Sequence, residues 1–463
     1  MKNVLRNSML SAVLVLATLS THAQEALSKN YKKEVVNKLS ELIVERYVFE
    51  DVALETEKHL KKQLKKGRFN ELTTNEDFAK ALTETVQEIN HDKHMRVRAE
   101  KQYEEPENTI DYQIAKRIDQ LNRSWWYNGG FIETKVIKGN VGYIKLGGFA
   151  PFYMYQDYTD AYMKLIANTD AVIVDLTANG GGDPNMVQYL CSFFFDDKRH
   201  LNSLYFREGD ITEEFWTLEE VNGKKMPNVP LFVMTSKRTF SGAEEFSYNM
   251  QTQKRATLVG QTTGGGANPG GTMMINPNLS VFIPGGTAIN PITKTNWEGV
   301  GVKPEIETSV EETYDKTLAL ALAAAEKHRE NKASEYKRLL THLYEVLENY
   351  EGTASDEALN EALTACIDAE LLDEGEINMM GYEHLMNLQQ PFTAEGIFKA
   401  NIKLYPNSAN TYDSYAEANL MNGKTDIAIE FYEKAVQVAK DNNSPDAEMF
   451  QRNLDNAKEK AGK

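Results

Sequence analysis

Short runs of β-branched and other apolar residues alternate with helical segments in the middle of the chain. The apolar runs lie at 141–146, 171–176, 231–235 and 257–260, and segments with helical periodicity lie at 155–167, 185–195 and 243–253. Near-continuous apolar strands that alternate with helices indicate an α/β layer with a mostly buried sheet. Glycine-rich turns follow several of the strands, which is where such folds build their sites.

Helical periodicity dominates on both sides of this core. Residues 28–68 repeat apolar side chains at steps of three and four, and 74–89 is a second predicted helix with Thr74 as its N-cap. A basic run from Lys58 to Arg68 has the spacing of a solvated helix face. Strand patterns end after about residue 312. We predict the following regions: a helical domain at 24–100, a polar, loop-like linker at 101–130, the α/β core at 131–312, a helical connector at 313–370 and a helical region at 371–463.

The last ninety residues contain a faint repeat with a period of 34 positions. Ala394 and Phe398 recur as Ala428 and Tyr432. This period is typical of tetratricopeptide helix hairpins, whose grooves bind peptides or partner proteins. A partner protein is therefore expected for this tail, and a plain helical appendage is the alternative interpretation.

The first 23 residues have the layout of a cleavable secretory signal. Lys2 and Arg6 precede a short apolar run, and a small-x-Ala site ends at Ala23. The run is too short to span a membrane, and no later stretch of the sequence is long and apolar enough either. We expect an exported protein, periplasmic or extracellular, with cleavage after about Ala23 and no membrane span.

Composition narrows the classes of partner and cofactor. The 463 residues include 51 Lys and Arg against 68 Asp and Glu, so the formal net charge is −17, which disfavours binding to nucleic acid. The two cysteines, Cys191 and Cys366, lie far apart among apolar residues and are predicted to be buried thiols. No metal site and no cofactor are predicted.

Ser241 lies at the most informative position for chemistry. A buried strand ends before it, and a tight loop delivers it to the start of a helix, where backbone N–H groups stabilise negative charge. An oxyanion would need that arrangement. The alternative is that Ser241 or Thr239 only caps the helix.

Three further segments supply partners for a nucleophilic serine. The turn from Asp175 to Pro184 contains three glycines, which let backbone N–H groups face a site, and it lacks the spacing of a phosphate loop or a dinucleotide fingerprint. His91 and His94 follow the first helical region and could each act as a base. Glu298 lies between Trp297 and a glycine and is the acidic candidate.

Taken in order, these segments resemble the tail-specific, or C-terminal-processing, serine peptidases, in the branch of the tricorn-type and interphotoreceptor-retinoid-binding-protein-like members. The matching stretches are 92–94, 175–182, 239–245, 260–267 and 296–306. The resemblance implies a crotonase-like, β-rich α/β core with a helical N-terminal domain, and a peptide or protein substrate. It also implies Ser241 as nucleophile, His94 as base, Glu298 as its acidic partner, and an oxyanion hole from Gly242 with Gly181 or Gly182.

Two departures from the family pattern refine this hypothesis. Members with a Ser–Lys dyad carry a lysine about 25 residues after the serine, and Gly266 stands there, so a Ser–His–Glu arrangement is preferred. Lys93 replaces the serine that tricorn-type enzymes carry before the histidine, and its ammonium is expected to lower the pKa of His94. His91 is the alternative base. There are two alternative functions: an inactive ligand- or peptide-binding protein of the same fold, and a scaffold that acts through its helical tail.

Overall fold

The computed structural model describes residues 27–100 and 109–462, so the predicted export signal at 1–23 lies outside the described residues. The chain divides into two compact units, Met1–Glu326 and Lys327–Lys463, and the division falls within one long helix. No helix in the described part of the chain is long and apolar enough to cross a membrane.

The elements of the first unit alternate between helix and strand in its central part. The strands are β1 (Arg96–Ala99), β2 (Phe131–Ile137), β3 (Val141–Leu146), β4 (Ala171–Asp175), β5 (His200–Phe206), β6 (Ile211–Trp216), β7 (Leu231–Thr235), β8 (Ala256–Gly260), β9 (Gly270–Asn276), β10 (Leu279–Pro284), β11 (Gly286–Ile289) and β12 (Ile306–Glu307). The helices are α1 (Lys29–Arg46), α2 (Glu50–Lys65), α3 (Asn75–Asn90), α4 (Ile110–Tyr127), α5 (Phe152–Ile166), α6 (Pro184–Ser192), α7 (Gly242–Thr252) and α8 (Val310–Glu348), of which α8 contains the unit boundary.

Helices α1 to α3 form the N-terminal part of the unit, as the apolar spacing predicted. The Thr74 hydroxyl accepts a hydrogen bond from the Asp77 N–H at 3.1 Å, which confirms it as the N-cap of α3. The predicted helical stretch 28–68 is interrupted after Arg46, because Tyr47 adopts an extended backbone and buries its ring. The basic run lies on the exposed side of α2 and the turn after it, also as predicted.

A three-stranded antiparallel sheet, in the order β1-β10-β9, completes the core of these helices. Leu279, Val281 and Ile283 of β10 pack with the buried residues of α1 and α3. Strands from the predicted α/β core therefore share a hydrophobic core with the predicted N-terminal domain. This arrangement places the segment after α3, which contains His94, against β10.

The central sheet has six strands in the order β12-β8-β7-β4-β3-β2, all parallel except β2. Helices α5, α6 and α7 cover one face, and α8 covers the other through Ala321 and Ala325. All four apolar runs predicted as strands belong to this sheet, and β4 and β7 are buried along their whole length. The mixed α/β fold class is confirmed. A small antiparallel sheet, β11-β5-β6, lies beside it.

The region predicted as a loop-like linker is largely helical. Helix α4 spans Ile110–Tyr127, whereas 101–108 lie outside the described residues. The prediction of a loop was wrong here because many charged and polar residues obscured a helical period: Ile110, Ile114 and Ile118 recur every four positions.

Helices and turns alone make up the described part of the second unit, as predicted. After α8 they are α9 (Asp356–Asp368), α10 (Glu374–Tyr382), α11 (Pro391–Leu404), α12 (Ala409–Met421), α13 (Thr425–Asp441) and α14 (Ala447–Lys460). The 34-residue offset relates α11 to α13, and the repeated residues Ala394, Phe398, Ala428 and Tyr432 are all buried. The tetratricopeptide assignment stays a prediction. Cys191 and Cys366, one in each unit, are buried free thiols, as predicted.

Candidate active site

Ser241 lies where the loop after β7 enters helix α7. Its backbone has φ +54° and ψ −123°, a conformation that non-glycine residues rarely adopt and that costs on the order of 1–3 kcal/mol. The hydroxyl of Thr239, the other candidate cap, donates instead to the carbonyl of Leu176 at 2.8 Å. The loop is thus tied to the end of β4, and the strained turn presents the Ser241 side chain at the start of α7.

The glycine turn after β4 lies directly against Ser241. A Cβ added to Gly181 would come within 2.7 Å of the Gly242 nitrogen and 2.8 Å of the Ser241 Cβ. A Cβ added to Gly182 would lie 1.9 Å from the Phe149 carbonyl oxygen, and its φ is +147°. Only glycine allows the two backbone segments to approach this closely. The glycine turn after β4 and the loop that contains Ser241 are therefore in direct contact.

The N–H groups of this turn differ in their availability. The Gly181 N–H donates to the Asn179 side chain at 2.8 Å. Within the described residues, the N–H groups of Gly182 and Gly242 have no acceptor, and Gly242 is the first residue of α7. Two unengaged donors beside a serine, at the positive end of a helix, form a concave site for negative charge.

His94 lies on the short segment between α3 and β1. Its ring packs against Phe240, with centroids 4.5 Å apart, and against Phe282 of β10, with centroids 5.9 Å apart. Its Nδ1 atom is buried and has no hydrogen-bond partner in the part of the chain that the structure describes. Burial lowers the pKa of His94 to about 4, and the positive charge of Arg96 adds to this effect. The imidazole is therefore neutral at physiological pH.

Two carboxyl groups lie beside the imidazole. The donor atoms of Asp92, His94 and Glu298 all lie within 4.8 Å of one another, the only such group of metal-ligating side chains in the described residues. Glu298 Oε2 accepts a hydrogen bond from the Ala267 N–H at 2.6 Å, whereas Oε1 is buried and has no partner within residues 27–100 and 109–462. Burial, with the nearby Asp92, raises the pKa of Glu298 to about 7.

Asp92 is held more firmly than Glu298. It accepts hydrogen bonds from the Asn268 amide at 2.9 Å and from the His94 backbone N–H at 2.9 Å, and its Oδ1 lies 3.8 Å from His94 Nδ1. Burial raises its pKa. Partial burial destabilises the charged form of each of these three groups, and a neighbouring opposite charge stabilises it. The imidazole and the two carboxyl groups can therefore share a proton and exchange it among themselves.

The structure groups the predicted site residues into two neighbouring clusters. Ser241 and Gly242 contact Gly181 and Gly182, and His94 lies with Glu298. Phe240, the residue before Ser241, joins the clusters by packing on the His94 ring. In the described part of the chain, no hydrogen bond connects the Ser241 hydroxyl with the His94 imidazole.

Two family models match these regions of the chain. The model of peptidase family S41 matches residues 140–308, and the model of the N-terminal domain of S41 peptidases in eukaryotic IRBP matches residues 22–123. Together they span more than half of the sequence. The chain belongs to peptidase family S41. The family resemblance inferred from the sequence is thereby confirmed.

Several solved structures are similar to this S41 chain. One is a candidate peptidase from Parabacteroides merdae, with 17% identity and a TM-score of 0.45, covering 63% of this chain and 96% of that one. The photosystem II D1 C-terminal processing protease has 11% identity and a TM-score of 0.38, covering 60% and 93%. The tricorn protease has 14% identity and a TM-score of 0.37, covering 65% and 37%.

Glu244 is a residue of the candidate site that the sequence did not reveal. Its carboxylate is fully buried and accepts hydrogen bonds from the N–H groups of Ser241, Gly265 and Gly266, at 2.9, 2.6 and 2.8 Å, and from the Thr263 hydroxyl. Its position three residues after a helix-starting serine is a capping-box signal. That signal predicts the bond to Ser241, and only the folded chain brings the 263–266 turn to the same carboxylate.

The position of the dyad lysine in this S41 chain has no room for a side chain. A Cβ added to Gly266 would lie 2.2 Å from Phe240 Cζ and 2.6 Å from His94 Cε1. Lys93 is directed to the same turn and donates to the Gly264 carbonyl. The expected lowering of the His94 pKa is present, but burial and Arg96 cause it, so the attribution to Lys93 was wrong.

His91, the alternative base, has a structural position. It ends α3 with a left-handed backbone, φ +54°, its N–H donates to the Gln87 carbonyl, and it is exposed. It does not belong to the cluster of His94, Asp92 and Glu298 among the described residues. The geometry therefore favours His94 over His91.

Proposed function

We propose that this S41 family member is an exported serine peptidase that cleaves peptide bonds through an acyl-enzyme on Ser241. One observation carries the proposal: the buried atoms His94 Nδ1 and Glu298 Oε1 belong to residues of one cluster, and neither has a hydrogen-bond partner among the described residues. Most buried polar atoms in folded proteins have a hydrogen-bond partner, so an atom without one calls for an explanation. A small closure of the cluster would join them in the hydrogen bond that orients a catalytic imidazole.

In the first half-reaction, the Ser241 oxygen attacks the carbonyl carbon of the scissile bond while His94 Nε2 takes the hydroxyl proton. The imidazolium is stabilised by the ionised Glu298 at Nδ1–H, with Asp92 adding negative charge nearby. The tetrahedral intermediate collapses when His94 returns the proton to the leaving amine. A water molecule, activated by the same imidazole, then hydrolyses the acyl ester and restores the Ser241 hydroxyl.

The N–H groups of Gly182 and Gly242 are the proposed oxyanion donors. Neither N–H has an acceptor among the described residues, which supports this assignment, whereas the hydrogen bond from the Gly181 N–H to the Asn179 side chain disfavours the predicted alternative at Gly181. Removal of one such donor typically costs about 3–4 kcal/mol of transition-state stabilisation. The low pKa of His94 keeps the base neutral and able to accept a proton across the physiological range.

Ser241→Ala tests the proposal. Peptide hydrolysis should fall by at least about a thousandfold, because the nucleophile is lost, while the thermal unfolding midpoint stays nearly unchanged. Ser334→Ala, which changes an exposed serine of α8, is the matched control and should retain full activity. Unaltered hydrolysis by the Ser241 variant would contradict the assignment.

A binding protein of the same fold is the second candidate. The observation that favours it is the packing of Phe240 on His94 together with the absence, in the described residues, of a hydrogen bond from the Ser241 hydroxyl to that ring. Such a protein would bind a peptide at the glycine turn without cleaving it. Binding of a peptide by the wild type with no product over many hours would favour this second function.

A further inference from the structure

A basic cavity lies at the carboxyl ends of β3, β4 and β7, away from the residues proposed for catalysis. It has a volume of about 410 Å³, and its charged lining consists of Lys145, Lys237, Arg238 and Asp175. Tyr143 and Thr177 line it as well. The formal net charge of the protein is −17, so a cavity lined by three cations is opposite in sign to the protein as a whole.

In the described part of the chain, Lys145, Lys237 and Arg238 form no ion pair. The single carboxylate of the lining, Asp175, is buried and already accepts hydrogen bonds from the Tyr143 hydroxyl at 2.8 Å and from the Thr177 N–H at 2.9 Å. The cavity is therefore a concave site with excess positive charge and unused hydrogen-bond donors.

The cavity shares its walls with the two loops of the proposed active site. The Ser236 hydroxyl donates to the Thr177 carbonyl at 2.6 Å and accepts from the Arg238 N–H at 3.0 Å. Arg238 precedes Ser241 by three residues, so their Cα atoms are at most about 11 Å apart. An extended peptide covers that distance in about three residues.

The cavity and helix α7 lie on opposite faces of the central sheet, and this determines how a bound peptide could reach the cavity from Ser241. Tyr143 and Met234 lie on the face that α8 covers, whereas α7, which begins after Ser241, packs on the other face. Both the cavity and Ser241 lie at the carboxyl edge of the sheet. A peptide bound at Ser241 would reach the cavity by crossing that edge, where Lys237 and Arg238 are exposed.

We propose that this cavity is a subsite for an Asp or Glu side chain of the peptide substrate. Carboxylates are the groups that a guanidinium and two ammonium groups bind best on a peptide, and guanidinium can bind them through two parallel hydrogen bonds. The inference rests on the proposed function, because it assigns the cavity to the substrate of that site. It adds a preference for acidic residues a few positions from the cleaved bond.

The test measures binding in the Ser241→Ala protein, so that it does not depend on hydrolysis. The probes are fluorescein-labelled nine-residue peptides of Ala and Ser with three Glu residues and blocked ends, and the same peptides with Gln in place of Glu. Fluorescence anisotropy gives the ratio of the two Kd values. We expect the Glu peptide to bind at least tenfold more tightly.

Lys237→Ala combined with Arg238→Ala should bring this ratio close to one. The matched control, Lys58→Ala combined with Lys62→Ala, removes the same charge from the exposed face of α2 and should leave the ratio as it was. If the Glu preference fell equally in both double variants, long-range electrostatic attraction would explain it, and the proposal would be overturned. Equal binding of the Glu and Gln peptides would overturn it too. So would tight binding of only a Gln peptide with a free carboxyl terminus, because the cavity would then bind the terminal carboxylate and not an acidic side chain.

Discussion

The Glu244 carboxylate accepts a hydrogen bond from the backbone N–H of Ser241 at 2.9 Å. The same carboxylate accepts bonds from Gly265 and Gly266, which belong to the turn that packs against His94. One buried side chain therefore fixes the strained backbone of the proposed nucleophile and the turn beside the proposed base. This shared anchor explains how a conformation with φ +54° is maintained at Ser241.

Glu244→Ala should lower both stability and hydrolysis. The substitution leaves the N–H groups of Ser241, Gly265 and Gly266 and one hydroxyl without their acceptor, so we expect the free energy of unfolding of the first unit to fall by about 3 kcal/mol or more. Peptide hydrolysis should fall at least a hundredfold even below the temperature of unfolding, because Ser241 loses its support. Denaturant unfolding and activity assays measure these effects. Glu213→Ala, at an exposed position of β6, is the control, and similar losses in that variant would contradict this explanation.

Gly266→Ala should damage the base without removing any catalytic group. The new methyl group would overlap with Phe240 and His94, whose atoms lie 2.2 and 2.6 Å from its ideal position, so one of the rings must move. We expect hydrolysis to fall at least tenfold. Gly271→Ala in β9, where a Cβ meets nothing within 4 Å, should leave the rate unchanged. Equal rates in the Gly266 variant and the wild type would show that this packing is unimportant for the reaction.

The pH dependence of kcat/KM should follow the ionisation of Glu298 rather than that of His94. With a pKa of about 4, His94 is neutral from about pH 5 upwards, so it does not limit the rate there. Glu298 has a pKa of about 7 and becomes the carboxylate that stabilises an imidazolium only as the pH rises through 7. We therefore predict that kcat/KM rises between about pH 6 and 8. Glu298→Gln should lower the rate at pH 8 and abolish this rise; a flat wild-type profile would argue against the role of Glu298.

The sequence predicts the framework well because its signals are local. Residues 171–174, for example, are all apolar and three of the four are β-branched, which is the composition expected of a strand that is buried on both faces. Thr74 is identified as an N-cap for the same reason, since a cap contacts only the next turn. Helix α4 was missed because its local signal is weak: isoleucines at every fourth position are surrounded by charged residues.

The site is predicted less completely because it depends on contacts between distant segments. The motif order predicts Ser241, His94 and Glu298 as site residues, but no local pattern shows that Asp92 lies beside His94 and Glu298 or that Glu244 binds the 263–266 turn. The pKa of His94 shows the same limit. The sequence suggested Lys93, the neighbouring residue, as the cause of the lowered pKa. The larger cause is burial of the ring, which packs against Phe240 and Phe282 from other parts of the chain.

Covalent labelling of Ser241 tests the central claim most directly. A fluorophosphonate reacts with a serine hydroxyl that a neighbouring base activates and whose developing charge is stabilised by an oxyanion hole. Mass spectrometry after proteolysis should find the adduct on Ser241 in the wild-type protein, and His94→Ala should slow its formation at least a hundredfold. A wild-type protein that remains unlabelled at Ser241, or that labels equally fast without His94, would contradict the account.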